Sequence, residues 1–427
     1  MFFSPWKSLT PWTHYEVGKT LLATVTLIAP VRFVTVCALL LLGSLFTLPL
    51  SNQGCSRLLG IRYRQVVRVL IRLGCRLILF VCGFMWVFTN GQYDGRATIL
   101  LGTHHSVWDS LWLIWYCGAS QTAKVELFKT TLISGYLTAL DSLSIDRWSR
   151  KGRAEALEAI RRRAHCANTY PLLIFPGAVC SNCRELIEFK RGAFEPGVPI
   201  QPVGIAYPAR HFDLTHSRWP LWDMYRTMCQ LVNFMTVTFL PIQFPDDEDK
   251  AHPAEWMRRV RETMGRSLDM QLVPYNYEAE YIRTRCRDLG LIFNETKCRI
   301  TNIGFVMTIV KAFVEIDYDR DGWISRSDAS RSGANFERAF LDSFGTIKLP
   351  NESEDSSAPN SESWIETGIV GWMTGGRPLL PSRPLDPYRD DAIEVAELIT
   401  YFNTCIENDV RPCPELVTAF NMSQYMV

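Results

Sequence analysis

Net charge is almost absent. The 427 residues carry 45 Lys+Arg against 44 Asp+Glu, a balance of +1. Nothing global therefore points to nucleic acid, and no RNA- or DNA-binding motif occurs. A disulfide framework is missing too: the 13 cysteines are scattered and odd in number, which fits a reducing compartment. Cys180 and Cys183 form one CxxC with no second pair, a weak footing for zinc or redox work. No Gly-x-Ser-x-Gly elbow occurs, which disfavours a serine nucleophile of that type. Charge also vanishes locally. Residues 33–50 are 18 positions without one, and residues 20–31 before them are uncharged as well. Eighteen helical residues reach about 27 Å, just enough to cross a hydrocarbon core. A signal peptide is the poorer reading, since the run is too long and starts too late. The Pro30-Val-Arg32 interruption leaves open a re-entrant helical hairpin.

The segment after this run is richly patterned. Arg64, Arg68, Arg72 and Arg76 recur every four residues, with Val66, Val67, Val69, Leu70, Ile71 and Leu73 between them. That spacing predicts an amphipathic helix whose basic stripe lies at an anionic lipid surface; the plainer reading turns the arginines to solvent or to a protein acid. Residues 77–88 continue as a 12-residue apolar run, too short to span alone.

Residues 97–109 organise the centre. An apolar run ends in Gly102, polar residues come next, and an aromatic segment starts at Trp108. This predicts a buried strand, a tight turn and a helix start. With His104 in the loop and the helix beginning near Ser106, Asp109 falls in the first turn. There it can reach back to the imidazole, hold one tautomer and stabilise the imidazolium. Ser106-Val-Trp-Asp109 also fits a capping box, in which Asp109 serves only the helix terminus.

Further strands are expected over residues 141–147, 171–176, 198–207 and 236–241, with a basic helix over 152–164. Asp146 and Arg147 close the first of these, and Arg147 could grip a phosphate bidentately or form a surface pair with Asp146. The strand 171–176 opens onto Gly177-Ala-Val-Cys-Ser-Asn182, either a ligand cradle of small residues or a structural turn. The alternation predicts an α/β domain with its polar groups at strand ends.

Four segments in order now resemble the glycerolipid acyltransferases of the lysophosphatidate acyltransferase type, most of all the animal lysophosphatidylcholine acyltransferases. His104-His-Ser-Val-Trp-Asp109 fits the first motif, and Leu143-Ser-Ile-Asp146-Arg147 the second, without its usual leading glycine and aromatic. Phe175-Pro-Gly-Ala-Val-Cys-Ser-Asn182 aligns with the third and Val198-Pro-Ile-Gln-Pro202-Val203 with the fourth. One departure stands out: Gly177, Ala178 and Val179 occupy the place of the family's Glu-Gly-Thr. The resemblance implies acyl transfer from acyl-CoA, the co-substrate, to a lysophospholipid at a membrane, with lysophosphatidylcholine first as acceptor and lysophosphatidate second. His104 would be general base and Asp109 its orienting acid. Asp146, Arg147, Pro176, Gly177, Ala178, Val179, Cys180, Asn182 and Pro202 would form the substrate-binding set. The endoplasmic reticulum is the implied setting, with Golgi or lipid droplet as alternatives. Loss of the third-motif glutamate leaves a second reading, a catalytically impaired lipid-binding protein of the same fold.

In the carboxyl-terminal part, residues 317–328 fit a twelve-residue EF-hand loop. Asp317, Asp319, Asp321 and Ser325 offer side-chain oxygens, Trp323 a carbonyl, and Asp328 the last, shortened carboxylate, for a possible calcium ion. An Asp-rich turn without metal is the competing reading. The expected architecture is therefore membrane-anchoring helices over 1–89, an α/β acyltransferase domain over 90–275 and a small helical EF-hand-like region over 276–348. A linker and a last helix occupy 349–427.

Overall fold

The computed structural model describes residues 10, 13–51, 60–146, 150–166, 170–209, 212–215, 220–288, 303–317, 324, 331–333, 398–403 and 414–420. The chain divides into two compact units, one running to Tyr275 and one from Asn276.

The first unit is built on strand β2, Ile99–Gly102, whose four residues are all buried. Period-two alternation sends Ile99 and Leu101 to one side of a sheet and Leu100 to the other. Both sides are apolar, so both must be covered, as in α/β proteins. β1 (Phe88–Asn90) precedes β2, and helix α4 (Val107–Cys117, after three N-terminal helices) succeeds it. Then come β3 (Ser120–Lys124), helices α5 (Val125–Phe128) and α6 (Thr131–Ala139), β4 (Leu143–Ile145), α7 (Arg150–Ala164) and β5 (Leu172–Ile174). β6 (Glu185–Leu186), β7 (Ile200–Ala206), α8 (Pro220–Cys229), β8 (Thr236–Phe239), α9 (Asp247–Ala251), α10 (Pro253–Ser267) and β9 (Gln271–Leu272) complete the unit.

Among the described residues the main sheet has seven strands in the order β1-β8-β7-β2-β5-β3-β4. All neighbours are parallel except β7 and β8, which pair antiparallel, so β1 and β8 run against the rest. Leu100, Leu173, Val203 and Val237 pack with Trp108 and Trp112 of α4 and with Phe84 and Met228. On the opposite side Ile99, Leu101, Leu172, Ile174 and Ile200 meet Ile160 and Ala164 of α7 and Trp256, Val260 and Met264 of α10. The result is three layers with β2 at the centre. Each fully buried aliphatic or Phe side chain contributes about 1.5–3 kcal/mol.

Helices α1 (His14–Val25), α2 (Ile28–Ser51) and α3 (Gly60–Val81) belong to the same unit. The chain turns at Thr26 and Leu27, the latter at φ 62°. The expected interruption at Pro30-Val-Arg32 is therefore not a break. Pro30 sits in the first turn of α2, where no N–H is needed. Arg32 donates instead to the carbonyls of Met228, Gln230 and Leu231. Farther along α2, Tyr136 of α6 donates to the Leu40 carbonyl at 2.6 Å, and Tyr63 of α3 to that of Phe46 at 2.7 Å. α2 is the helix, among the described residues, long and apolar enough to cross a membrane; the mean hydropathy of its most apolar 18 residues is 2.3.

The basic stripe of α3 does not face outward. Arg68 is 2% exposed and donates to the Gly118 carbonyl at 2.6 Å. Arg72 donates to the Trp115 carbonyl at 3.0 and 3.1 Å, and Arg76 to those of Phe84 and Met85 at 3.1 and 2.8 Å. The last carbonyls of a helix lack intrahelical partners and carry partial negative charge, so the C-terminal end of α4 attracts Arg68 and Arg72, while Arg76 turns back to carbonyls just past the end of its own helix. Past Gln65, what α3 exposes is apolar: Val66, Val69, Leu70, Leu73, Leu77 and Phe80; Arg62 and Gln65 are exposed in its first turns.

In the second unit, α11 (Tyr277–Asp288) and α12 (Ile303–Ile316) are followed much later by α13 (Pro414–Ala419). Val306, Ile309, Val310, Phe313 and Ile316 are buried, the helical spacing of one apolar face. Asp317, directly after α12, is buried. Asp319, Asp321, Trp323, Ser325 and Asp328 lie outside the described residues, as does most of the expected linker and last helix over 349–427. Residues 398–403 are helical, within the last expected helix.

The contact between α2 and α6 can be tested directly. A Cβ on Gly135 would stand 2.3 Å from the Thr47 carbonyl oxygen, whereas one on Gly18 would meet nothing within 4 Å. Gly135→Ala should destabilise the first unit by about 1–3 kcal/mol, the range for overpacking. Gly18→Ala should instead stabilise α1 by about 0.5–1 kcal/mol. Thermal unfolding monitored by circular dichroism in detergent reads both.

Candidate active site

Strands β2 and β5 are parallel neighbours, with Leu101 opposite Ile174. The loops after them therefore leave the sheet side by side. Ser181 N–H donates to the His104 carbonyl at 2.9 Å, and the His105 ring nitrogen Nδ1 donates to the Ser181 carbonyl at 2.8 Å. These two bonds staple residues 104–105 to the 175–182 loop. Between them the Phe175 ring stacks on the His104 imidazole, with centroids 4.0 Å apart and planes 13° from parallel. Gly102 makes room for that ring, since a Cβ there would lie 2.8 Å from Phe175 Cε1.

Helix α4 has Ser106 as N-cap, so His104 stays in the loop and Asp109 falls at the third helical position. The two sequence readings of Asp109 are compatible. Its Oδ2 accepts the Ser106 N–H at 2.8 Å, one arm of a capping box, and the His105 N–H at 2.7 Å. The same oxygen meets His104 Nδ1 at 3.0 Å. A carboxylate only accepts, so Nδ1 carries the hydrogen and Nε2 of neutral His104 is the nitrogen left to take a proton. Asp109 is fully buried, while the His104 side chain is 23% exposed.

Sequence reasoning missed one contributor. Tyr207, just past the end of β7, is buried and donates its hydroxyl to Asp109 Oδ1 at 2.5 Å. Nothing local in the sequence marks it. The signal lies in register: β7 pairs with β2 at Gly102 and Val203, which carries the end of one strand alongside the loop of the other.

Electrostatics are set by this packing. Burial opposes charge on His104, but the Cys180 sulfur and the Asp109 carboxylate outweigh it, and the imidazole is pushed up to about 10. Burial likewise favours neutral Asp109, yet its hydrogen bonds and the histidines beside it hold the carboxyl below its ordinary value. His105, buried, is lowered. Tyr207 is raised well above its usual range by burial and by the Asp109 charge. A buried acid, a partly exposed imidazole and a buried phenol therefore form one hydrogen-bonded chain.

The remaining sequence-derived site residues divide. Pro176, Gly177, Ala178, Val179, Cys180 and Asn182 form the loop beside His104, with a turn closed by Ala178 N–H to the Phe175 carbonyl at 3.0 Å. Asn182 turns its oxygen to the N–H groups of Arg184 and Glu185, both at 3.0 Å, and so shapes its own loop. Pro202 is buried within β7, where alternation puts it on the Ile200 side of the sheet. Asp146 comes after β4 at the sheet edge, three strand spacings from β2 or roughly 14 Å. It packs where a Cβ on Gly152 would stand, at the start of α7. Arg147 lies outside the described residues. Among the described residues no group of three or more His, Cys, Asp or Glu could hold a metal ion.

Comparison with known proteins agrees on one theme. Residues 89–206 match the family model described as Acyltransferase. The lysophospholipid acyltransferase LPEAT2 of Arabidopsis thaliana is 27% identical over 290 residues, covering 67% of this chain and 51% of that protein. Lysophosphatidylcholine acyltransferase 1 of Danio rerio is 30% identical over 288 residues, covering 65% and 55%. Its human counterpart is 30% identical over 224 residues, covering 51% and 42%. The chain thus spans about half the length of the curated relatives it matches. A crystal structure of the 1-acyl-sn-glycerophosphate acyltransferase PlsC of Thermotoga maritima matches with TM-score 0.36 and 18% identity over 58% of this chain and 95% of that one. The pair His104–Asp109 lies inside the matched segment, and residues 89–206 are an acyltransferase-family domain.

Proposed function

We propose that the chain is a membrane-associated lysophospholipid acyltransferase that takes its acyl group from acyl-CoA, with lysophosphatidylcholine as first-choice acceptor. The observation that carries this reading is the His104 Nδ1–Asp109 Oδ2 contact of 3.0 Å within an acyltransferase-family segment. An alcohol is a poor nucleophile at neutral pH. His104 Nε2 removes its proton as the oxygen attacks the thioester carbonyl, and Asp109 stabilises the imidazolium that forms. The acyl-oxygen bond forms, the carbon–sulfur bond breaks, and the coenzyme A thiolate leaves with the proton that His104 releases. No covalent enzyme intermediate is required. The 175–182 loop, stapled beside His104, would hold the acceptor.

Membrane association is supported by the apolar side chains that α1–α3 expose, among them Leu21, Val25, Val34, Leu45, Val69 and Leu73. The competing reading, a lipid-binding relative with little activity, is favoured by one observation: the loop holds neither carboxylate nor hydroxyl at positions 177–179. Release of free coenzyme A thiol that requires an added lysophospholipid separates the two, and a panel of lysophosphatidylcholine and lysophosphatidate ranks the acceptors. The loop opening at Asp317 is proposed as a calcium site on its ligand pattern alone. Isothermal titration of the full chain should show calcium heat that Asp321→Ala abolishes; equal heats would remove the site.

His104→Ala should lower acyl transfer in matched membranes by about 10²–10⁴-fold, the usual worth of general acid–base catalysis. Equal rates would remove His104 from the role. The base must be neutral to act, and its pKa lies above the ordinary value at about 10. The acid limb of kcat/KM should therefore lie above pH 6.5, with activity rising as pH increases through it. Cys180→Ala, which removes one cause of the elevation, should move that limb to lower pH.

A further inference from the structure

Asp109 is a charge with no access to solvent. A buried carboxylate is tolerated only when its lone pairs are filled. Oδ2 is filled locally, by His104 Nδ1 and by the N–H groups of His105 and Ser106. Oδ1 is filled from 98 residues away, by the Tyr207 hydroxyl at 2.5 Å. The phenol itself is wedged behind the site, with Phe84 edge-on at 6.4 Å between centroids, so it cannot swing away without repacking the core. Phe84 in turn lies 5.6 Å from the Trp108 ring, next to Asp109 in the helix.

We propose that Tyr207 is a positioning residue for the acyl transfer, clamping Asp109 Oδ1 so that Oδ2 faces His104 and the imidazole keeps Nε2 towards the substrate. The inference rests on the proposed function, which gives His104 and Asp109 their roles. A carboxylate can rotate about its Cβ–Cγ bond. Two backbone N–H groups place Oδ2 beside the histidine, and the Tyr207 bond holds the other oxygen against that rotation. Donation by the phenol also spreads the negative charge away from Oδ2, and this tempers how tightly the imidazolium is held. The other titratable groups around these three residues are His105 beside Asp109, Cys180 beside His104, Cys183 beside Tyr207, and Asp213 beside His105 and Cys183.

Tyr207→Phe removes one oxygen and keeps the ring. Without it Oδ1 loses its donor, negative charge concentrates on Oδ2, and the imidazolium is held more strongly. The variant should lower kcat by about 10- to 100-fold, part of what general acid–base catalysis supplies in total. KM for acyl-CoA and for lysophosphatidylcholine should stay within about two-fold, since the phenol is buried away from both. The acid limb of the pH profile should move to higher pH. Site-specific replacement of Tyr207 by a fluorotyrosine, which keeps the shape and strengthens the donor, should move it to lower pH. NMR titration of the imidazole assigned by His104→Ala reads the same two shifts without any turnover. An unmoved titration in both variants overturns the inference, as does a fall in kcat that only tracks loss of folded protein. A moved titration together with full activity in His104→Ala sinks the general-base reading and leaves the clamp standing.

Discussion

The buried carboxylate of Asp109 is the constraint on which the rest of the structure depends. It brings together a loop after β2, the first turn of α4 and the hydroxyl at the end of β7. Satisfying it fixes where the helix starts, which tautomer His104 adopts and how β7 must be registered against β2. A charge in that position is unfavourable if any partner is missing. The three layers of apolar packing around the sheet supply the stability that holds those partners in place.

Much of this is legible in the sequence, for reasons that are local. The run ending in Gly102 is apolar on both sides of its alternation, as a central parallel strand must be, and Ser106 with Asp109 three positions later marks a helix terminus. The arginine spacing of α3 is equally clear, but periodicity reports only that residues share a face. It does not report what lies against that face, and here carbonyls at the C-terminal end of α4 do. Pro30 reads as a break because the sequence does not show where the first turn begins. Tyr207 is invisible because its partner is brought to it only by strand pairing.

The third-motif loop departs from the resemblance in a physically consistent way. At Gly177 a Cβ would stand 2.7 Å from the tip of Ile187, so the space behind the loop is already filled by an apolar side chain. Ala178, standing where the resembled family has glycine, adopts φ 62°. A residue with a Cβ pays roughly 1 kcal/mol or more of strain there. The staple between Ser181 and residues 104–105 holds this loop in place beside the histidines.

The inward-turned guanidiniums of α3 have a last consequence. From Arg68 to Arg76 its positive charge is sheltered by carbonyls and aromatic rings, with Arg68 3.5 Å over Tyr170 and Arg76 5.3 Å over Trp115. Ions in the medium screen exposed pairs far more than sheltered ones. Between Arg68 and Arg76 the exposed side chains, Val69, Leu70 and Leu73, are hydrocarbon, so added salt finds little there to weaken.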